Sequence, residues 1–226
     1  MLSHELLCIF REDAVDTVSP YLWSNSEIYR YINDAYFMFL RLTGGVPDGS
    51  SAVTQLIATA GEATTPIHKS IMRIRTATNV TDNNRPLKVI NVQDIEHLAG
   101  DDYGVLTHSR IDTPGNVRYI ITGESEDYVR WVNIPVVDTT IQLVVERLPL
   151  APITREQQQF KDIREEHQYH LLKWVRHLAY RKQDPDTFNL AKSDQERDDF
   201  LAYCDLSRRE KDTRKHKVRV VAYGGL

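Results

Sequence analysis

Ser24-Asn25-Ser26-Glu27-Ile28-Tyr29-Arg30-Tyr31-Ile32-Asn33-Asp34-Ala35-Tyr36-Phe37-Met38-Phe39-Leu40-Arg41-Leu42-Thr43-Gly44-Gly45-Val46 is the stretch on which the reading of the chain turns. Ser24 can accept from the amide three residues on while Glu27 reaches back, the capping-box pattern of a helix start. Ile28, Ile32 and Ala35, with Tyr31, Phe39 and Leu42, recur at helical spacing and predict one apolar stripe. Gly44-Gly45 is a natural stop, because glycine takes the left-handed conformation at a helix C-terminus at little cost. With Val46 the character of the sequence changes.

Working toward the N-terminus, Leu2, Leu6, Phe10 and Ala14, with Leu7, predict a helix over about residues 2–15, and Pro20 punctuates the segment before it. Working the other way, residues 46–152 are rich in β-branched side chains. Turn clusters at Ala60-Gly61-Glu62, Thr81-Asp82-Asn83-Asn84, Thr113-Pro114-Gly115-Asn116 and Gly123-Glu124-Ser125-Glu126-Asp127 divide them. Short strands between such turns predict an antiparallel sheet or a small sandwich. Residues 118–122 and 128–132 read as one hairpin. Asn91 reads as the cap of a short helix over 92–98.

Helical periodicity returns after Pro152. Thr154, with Gln157 three residues on, is the expected cap of a helix over 154–182 carrying Phe160, Ile163, His167, Leu171, Trp174, Val175 and Leu178 on one face. Asp184-Pro185-Asp186 breaks it. A last, heavily charged helix is expected over 185–211. The predicted fold class is therefore α+β: a helical bundle formed by N- and C-terminal helices with an inserted antiparallel β-rich domain. The boundaries are 1–45 and 153–214 for the discontinuous bundle, 46–152 for the insertion and 215–226 for an extended C-terminal tail.

At 226 residues the chain is long enough to bury a core without disulfides. Cys8 and Cys204 form no CxxC pattern and read as reduced thiols. No basic leader and no long apolar run is present, so no membrane partner is expected. Formal net charge is −4, from 28 basic and 32 acidic residues. That balance speaks against a protein that coats nucleic acid and suits one that lets DNA pass, since a basic wall would hold phosphates.

A search for chemistry gives little. No GxGxxG, GxxxxGK[ST] or GxSxG occurs. Glu166, His167 and His170, with His177 further on, have spacings that place carboxylate and imidazole on one helix face, as a divalent metal would need. A zinc site needs three or four converging ligands, and no second segment supplies them. An amphipathic helix with surface ion pairs and packed histidines is the plainer reading. Asp101, Asp102 and Asp112 read as acidic loop residues, and Ser109 beside His108 makes no triad. The chain is read as a structural protein and not as an enzyme, with no cofactor and no metal. A metal-dependent enzyme using Glu166, His167 and His170, and a nucleic-acid binder using the basic run from Arg208 to Arg219, stand as the alternatives.

The C-terminus is more informative. Val218, Val220 and Ala222 alternate with Arg219, Val221 and Tyr223, and Gly224, Gly225 and Leu226 come after them. Such a strip suits strand addition to a neighbour's sheet. Mixed charges on the last helix, among them Arg197, Asp198, Asp199, Arg208 and Arg209, suit side-by-side packing of like subunits.

The run from Tyr21-Leu22-Trp23 through Ala35 and on to Phe39-Leu40-Arg41-Leu42-Thr43-Gly44-Gly45 resembles the N-terminal signature of head-to-tail adaptor (connector) proteins of tailed bacteriophages. So does Leu171-Leu172-Lys173-Trp174 after Glu166-His167, and Tyr180-Arg181-Lys182-Gln183-Asp184-Pro185-Asp186-Thr187-Phe188-Asn189. The ending from Arg219 to Leu226 is similar too. The resemblance covers both ends and leaves the β-rich insertion largely unmatched. It implies a homo-oligomeric ring, usually of twelve, docked under the portal protein at the virion neck, between head and tail, and assembled in the host cytoplasm. It implies a downstream tail or nozzle protein as partner and transient, non-specific passage of genomic DNA during ejection. Another neck component, such as a tail-completion or stopper protein, is the neighbouring reading.

Overall fold

The computed structural model describes residues 1–94, 112–154, 158–183 and 187–214. The fold is mixed α+β. Two compact units divide the chain: Met1–Gly44 with Pro149–Leu226, and Gly45–Leu148.

In the first unit, α1 spans Ser3–Asp13 and α2 spans Asn25–Leu42. The capping box at α2 forms as the sequence predicts. Ser24 Oγ accepts from the Glu27 amide at 3.3 Å, and Glu27 Oε2 accepts from the Ser24 amide at 2.9 Å. At the other end Gly44 takes φ +77 and Gly45 φ +73. Lys211 Nζ donates to the Thr43 carbonyl at 3.1 Å, placing a cation on the helix C-terminus, where the dipole favours it. Ile28, Ile32, Ala35 and Phe39 of the predicted stripe are buried, Tyr31 and Leu42 are only partly covered, and Tyr29, Tyr36 and Leu40 join the buried side.

The expected helix over 154–182 is not continuous. Its helical parts are α3 (Glu165–Gln168) and α4 (Leu171–Tyr180). Residues 158–164 are an anchored loop instead. Ser3 N donates to the Gln158 carbonyl at 2.9 Å, and Gln168 Nε2 donates to the carbonyls of Phe160 and Ile163 at 3.3 and 2.9 Å. Phe160 and Ile163 are buried, so their apolar spacing reports tertiary anchoring and not helix. The Phe160 ring meets Tyr36 edge-on at 5.4 Å. The last helix, α5, spans Leu190–Arg214 and starts later than expected. Asn189 sets the start: its side chain accepts from Lys192 N at 3.0 Å, and its amide donates to the Tyr180 carbonyl at 2.9 Å.

The α4 helix packs on both α2 and α5. His177 fixes the second contact. Its Nδ1 lies 2.9 Å from Ser193 Oγ, and that hydroxyl donates to the His177 carbonyl at 2.9 Å. Trp174 packs on Phe200 at 5.1 Å and donates to Asp34 at 2.7 Å. The turn after α1 is built on charge. Arg11 and Asp16 are both buried and meet at 2.6 Å. Arg11 also donates to the Trp23 carbonyl (3.0 Å) and Asn25 Oδ1 (2.6 Å), while Asp16 Oδ1 accepts from Leu22 N (2.8 Å).

The second unit is an eight-stranded sheet: β1 (Val46–Asp48), β2 (Gln55–Ala58), β3 (Thr64–Pro66), β4 (Ile71–Asn79), β5 (Arg85–Asn91), β6 (Tyr119–Thr122), β7 (Tyr128–Val132) and β8 (Thr139–Arg147). The order is β1-β8-β4-β5-β6-β7-β3, with β2 following β1 along the same edge of β8. The sheet curls until its outer strands approach, and Thr65 Oγ1 on β3 donates to the Ile57 carbonyl on β2 at 3.3 Å. Trp131, fully buried, fills the interior beside Leu56, Ile120, Ile141 and Leu143, and its Nε1 donates to Thr65 Oγ1 at 2.9 Å.

The sheet is not purely antiparallel. The hairpin β6–β7 forms as predicted, but β5 and β6 run parallel, Lys88 opposite Tyr119 through Asn91 opposite Thr122. A parallel neighbour needs a long crossover, and the connection from 92 to 118 supplies it. Asn91 caps the turn that comes after it, accepting from Gln93 N at 3.0 Å, and Val92–Asp94 form a turn of 3₁₀ helix. Residues 95–98 of the expected short helix lie outside the described residues.

Removing one partner of a buried ion pair leaves the other charge stranded. Arg11→Ala is expected to lower unfolding free energy by about 3–5 kcal/mol. Urea denaturation followed by circular dichroism measures it, and a loss under about 1 kcal/mol would mean that water reaches Asp16.

Candidate assembly interface

The site residues expected from the sequence fall into two groups. Val218, Arg219, Val220, Val221, Ala222, Tyr223, Gly224, Gly225 and Leu226 lie outside the described residues. Arg197, Asp198, Asp199, Arg208 and Arg209 all lie on α5.

A narrow stripe of Ser193, Phe200, Cys204 and Ser207 buries α5, Glu196, Tyr203 and Lys211 beside it are partly covered, and the opposite face is open. Arg197 pairs within the helix, with Asp194 at 3.1 Å and Asp198 at 2.9 Å. Asp198, Asp199, Arg208 and Arg209 are exposed, as are Leu201 and Leu206. The open face is acidic in its middle, at Asp198, Asp199 and Asp205, and gains Arg208, Arg209 and Arg214 toward its end, where cations suit the dipole.

The candidate metal ligands are engaged otherwise. His170 stacks on the Tyr203 ring, centroids 3.5 Å apart and planes at 21°. His167 Nδ1 lies 2.8 Å from Tyr203 Oη, and its ring faces Phe39 at 5.5 Å. Glu166 turns to Arg164 and Arg214 at 3.6 and 3.8 Å, as well as to His167 Nε2 at 3.6 Å. His177 is taken by Ser193. Among the described residues no three His, Cys, Asp or Glu side chains converge on a metal-sized site. Asp112 pairs with Arg130 at 2.7 Å; Asp101, Asp102, His108 and Ser109 lie outside the described residues. Cys204 is buried, and burial pushes its thiol up to about 12. The geometry supports helix packing, with Tyr203 of α5 gripped by two imidazoles.

Electrostatics agree. Burial pulls both His167 and His170 below the ordinary histidine value; Lys173 and His167 add to this at His170, while Glu166 and Glu210 partly oppose it at His167. Burial, with Glu210 and Glu166 adding, pushes the Tyr203 phenol up. Each ring is held neutral. In the β unit, burial raises Asp48, but hydrogen bonds from Arg147, Ser51 and the Ser50 and Ser51 amides outweigh it and hold the carboxyl well below the usual carboxylate range.

A feature the sequence reading passed over is the loop between α1 and α2. Val15, Val18, Tyr21 and Leu22 are exposed there, Val15 by 83% and Val18 by 78%. Val15, Val18 and Leu22 stand at i, i+3 and i+7, but Pro20 falls among them and breaks the helical reading, so the spacing gives no sign of an exposed group.

No curated protein matches the chain. The model of the SU10 adaptor protein family matches residues 9–220. The chain belongs to this family. It is a family of phage adaptor proteins, and the adaptor match runs through both compact units, the β-rich segment included, and through α5.

Between about pH 6.5, the unfolded histidine value, and the lower folded values, the unfolded adaptor binds more protons than the folded one. Stability is therefore expected to fall as pH drops through that window. Melting temperatures measured from pH 7.5 to 5 check this, and His170→Phe, which keeps a stacked ring, should flatten the slope; an unchanged slope in that variant would assign the effect elsewhere.

Proposed function

We propose that the chain is the subunit of a head-to-tail adaptor ring. It docks beneath the portal of the filled head, extends the DNA channel and offers the platform for the next tail component. The observation that carries this reading is the family match over residues 9–220. The fold is consistent with it. His167, His170 and His177 are engaged in helix packing, and the 25-residue α5 keeps an open, charged outer face. A wall of mildly acidic net charge does not hold phosphates by counterion release, so DNA passes without sticking.

In this reading the helices act as one bundle in the ring wall, and the role is structural and not enzymatic. A ring of twelve is the form the resemblance implies, sited at the virion neck. Closed rotational symmetry uses two different faces of each subunit, and α5 supplies one of them. The tail, residues 218–226, is the handle on the portal: an alternating β-branched strip at a chain end adds a strand to a partner's sheet edge.

Electron micrographs of purified particles are expected to show the ring at the neck. Deleting residues 218–226 should leave subunit melting unchanged and abolish co-purification with portals. A truncated ring that still binds portals would remove the tail from this role.

A further inference from the structure

The two halves of α5 are held in different ways. In the first half Phe200 is fully buried, its ring 5.1 Å from Trp174 and 6.5 Å from Phe39. Ser193, also fully buried, bonds to the ring and the carbonyl of His177 at 2.9 Å each. Arg176 adds a sheltered pair with Glu196 at 3.4 Å. After Phe200 the apolar anchors stop. Leu201 and Leu206 face water, and the buried positions are taken by the small side chains of Cys204 and Ser207. Among the described residues, no Leu, Ile, Val, Phe or Trp side chain between 201 and 214 is buried.

The contacts that hold residues 201–214 among the described residues are polar, or are made by one ring. Tyr203 stacks on His170 with centroids 3.5 Å apart, and its hydroxyl lies 2.8 Å from His167 Nδ1. Lys211 Nζ donates to the Thr43 carbonyl at 3.1 Å. Arg214 lies 3.8 Å from Glu166, and both side chains are half exposed. Polar contacts replace bonds to water and leave a small net gain, and exposed ion pairs leave less. Apolar burial is the larger attraction, and these residues make little of it. Nor does the helix stand by itself here. A stretch of about 14 residues is marginal as an isolated helix in water. Asp205, Ser207, Asp212 and Thr213 are weak helix formers besides.

We infer that residues 201–214 form a strap that opens transiently by unwinding, while residues 190–200 and the rest of the helical unit stay folded. Tyr203 is the catch. Closed, the strap buries the Cys204 thiol, covers His170 and caps the end of α2 through Lys211. Open, it uncovers all three and moves the root of residues 215–226 from Arg214 back to Phe200. The same stretch reaches about 21 Å as helix and up to about 46 Å extended. The consequence for reach rests on the tail reading above. The opening itself needs neither ring nor portal, and its test uses neither.

Cys204 is the probe, because its thiol is buried while the strap is closed. Full-length Cys8→Ala, which leaves Cys204 as the one thiol, is treated with excess Ellman's reagent in rising urea below the unfolding transition. The reaction is run at about pH 8, where an exposed thiol is partly ionised. Labelling proceeds at a rate nearly independent of urea, since a local opening exposes little surface and a global one follows the full denaturant slope. Adding Tyr203→Ala raises that rate by about tenfold or more, the effect of losing an aromatic stack and its hydrogen bond. Adding Ile28→Val, in the first turn of α2, lowers the urea midpoint but leaves the rate within about twofold, because Ile28 stays packed in the open form. Labelling that follows the full urea slope, or that rises with Ile28→Val in step with the lost stability, makes the opening global and overturns the inference. A thiol that stays unlabelled up to the unfolding transition, or a Tyr203→Ala rate equal to that of its parent, overturns it as well. The urea slope of the Cys8→Ala chain decides the case even where Tyr203→Ala fails to fold.

Discussion

The β-rich unit depends on the chain leaving and re-entering at one place. Val46, at the start of β1, pairs with Arg147, at the end of β8, and Asp48 meets Arg147 Nε at 2.5 Å. This clasp fixes the two ends of a segment of about a hundred residues side by side, so the segment can fold without disturbing its neighbours in sequence. Gly45 is part of the same constraint. A Cβ there would stand 2.9 Å from the Arg147 carbonyl oxygen, and φ +73 would strain any other residue. The pair Gly44-Gly45 thus has two jobs: the first ends α2, and the second lets two backbones approach. A capping-box helix followed by glycines predicts the first. Nothing local predicts the second, because the partner lies a hundred residues away.

That division recurs through the fold. Elements set by nearby residues were legible: α2 from Ser24, Glu27 and its stripe; the β6–β7 hairpin from its turn cluster; the break before α5. Elements set by distant partners were not. Phe160 and Ile163 keep helical spacing with Leu171 and Val175, yet Gln168 takes their carbonyls and the N-terminal Ser3 pairs with Gln158, so the segment is a loop. The parallel register of β5 and β6 comes from a long connection and not from either strand's composition. Tertiary partners decided these cases, and periodicity carries no record of them.

The site was legible in kind and partly in place. His167 and His170 were visible as a pair at metal-binding spacing. Spacing states which side chains share a face, and says nothing of what comes down on that face. Here Tyr203 does, filling with a phenol ring the space where a metal would need ligands from a second segment. The mixed charges of α5 were visible too, but charge alone did not show that its middle is acidic with leucines at either side. The loop of Val15 and Val18 was missed because Pro20 breaks its helical spacing and spacing does not tell an exposed group from a buried one.

Where a fold tolerates strain in a visible position, the compensation should be visible as well. Around Val15, left-handed at φ +57, it is: a satisfied, buried ion pair holds the loop in place, and a buried charge pair contributes definition of geometry more surely than net stability. A connector needing only to join α1 to α2 would gain from glycine at the helix end and from a polar turn after it. The sequence has valine and a run of exposed apolar side chains, held rigid. Rigidity of this kind lowers the ordering cost of association, since side chains already fixed lose little more on docking. The same logic applies to α5, whose packing against α4 is fixed from beneath by His177, Ser193 and the Tyr203 clamp while its outer face stays open. Both the loop and α5 are thus presented by elements fixed from within.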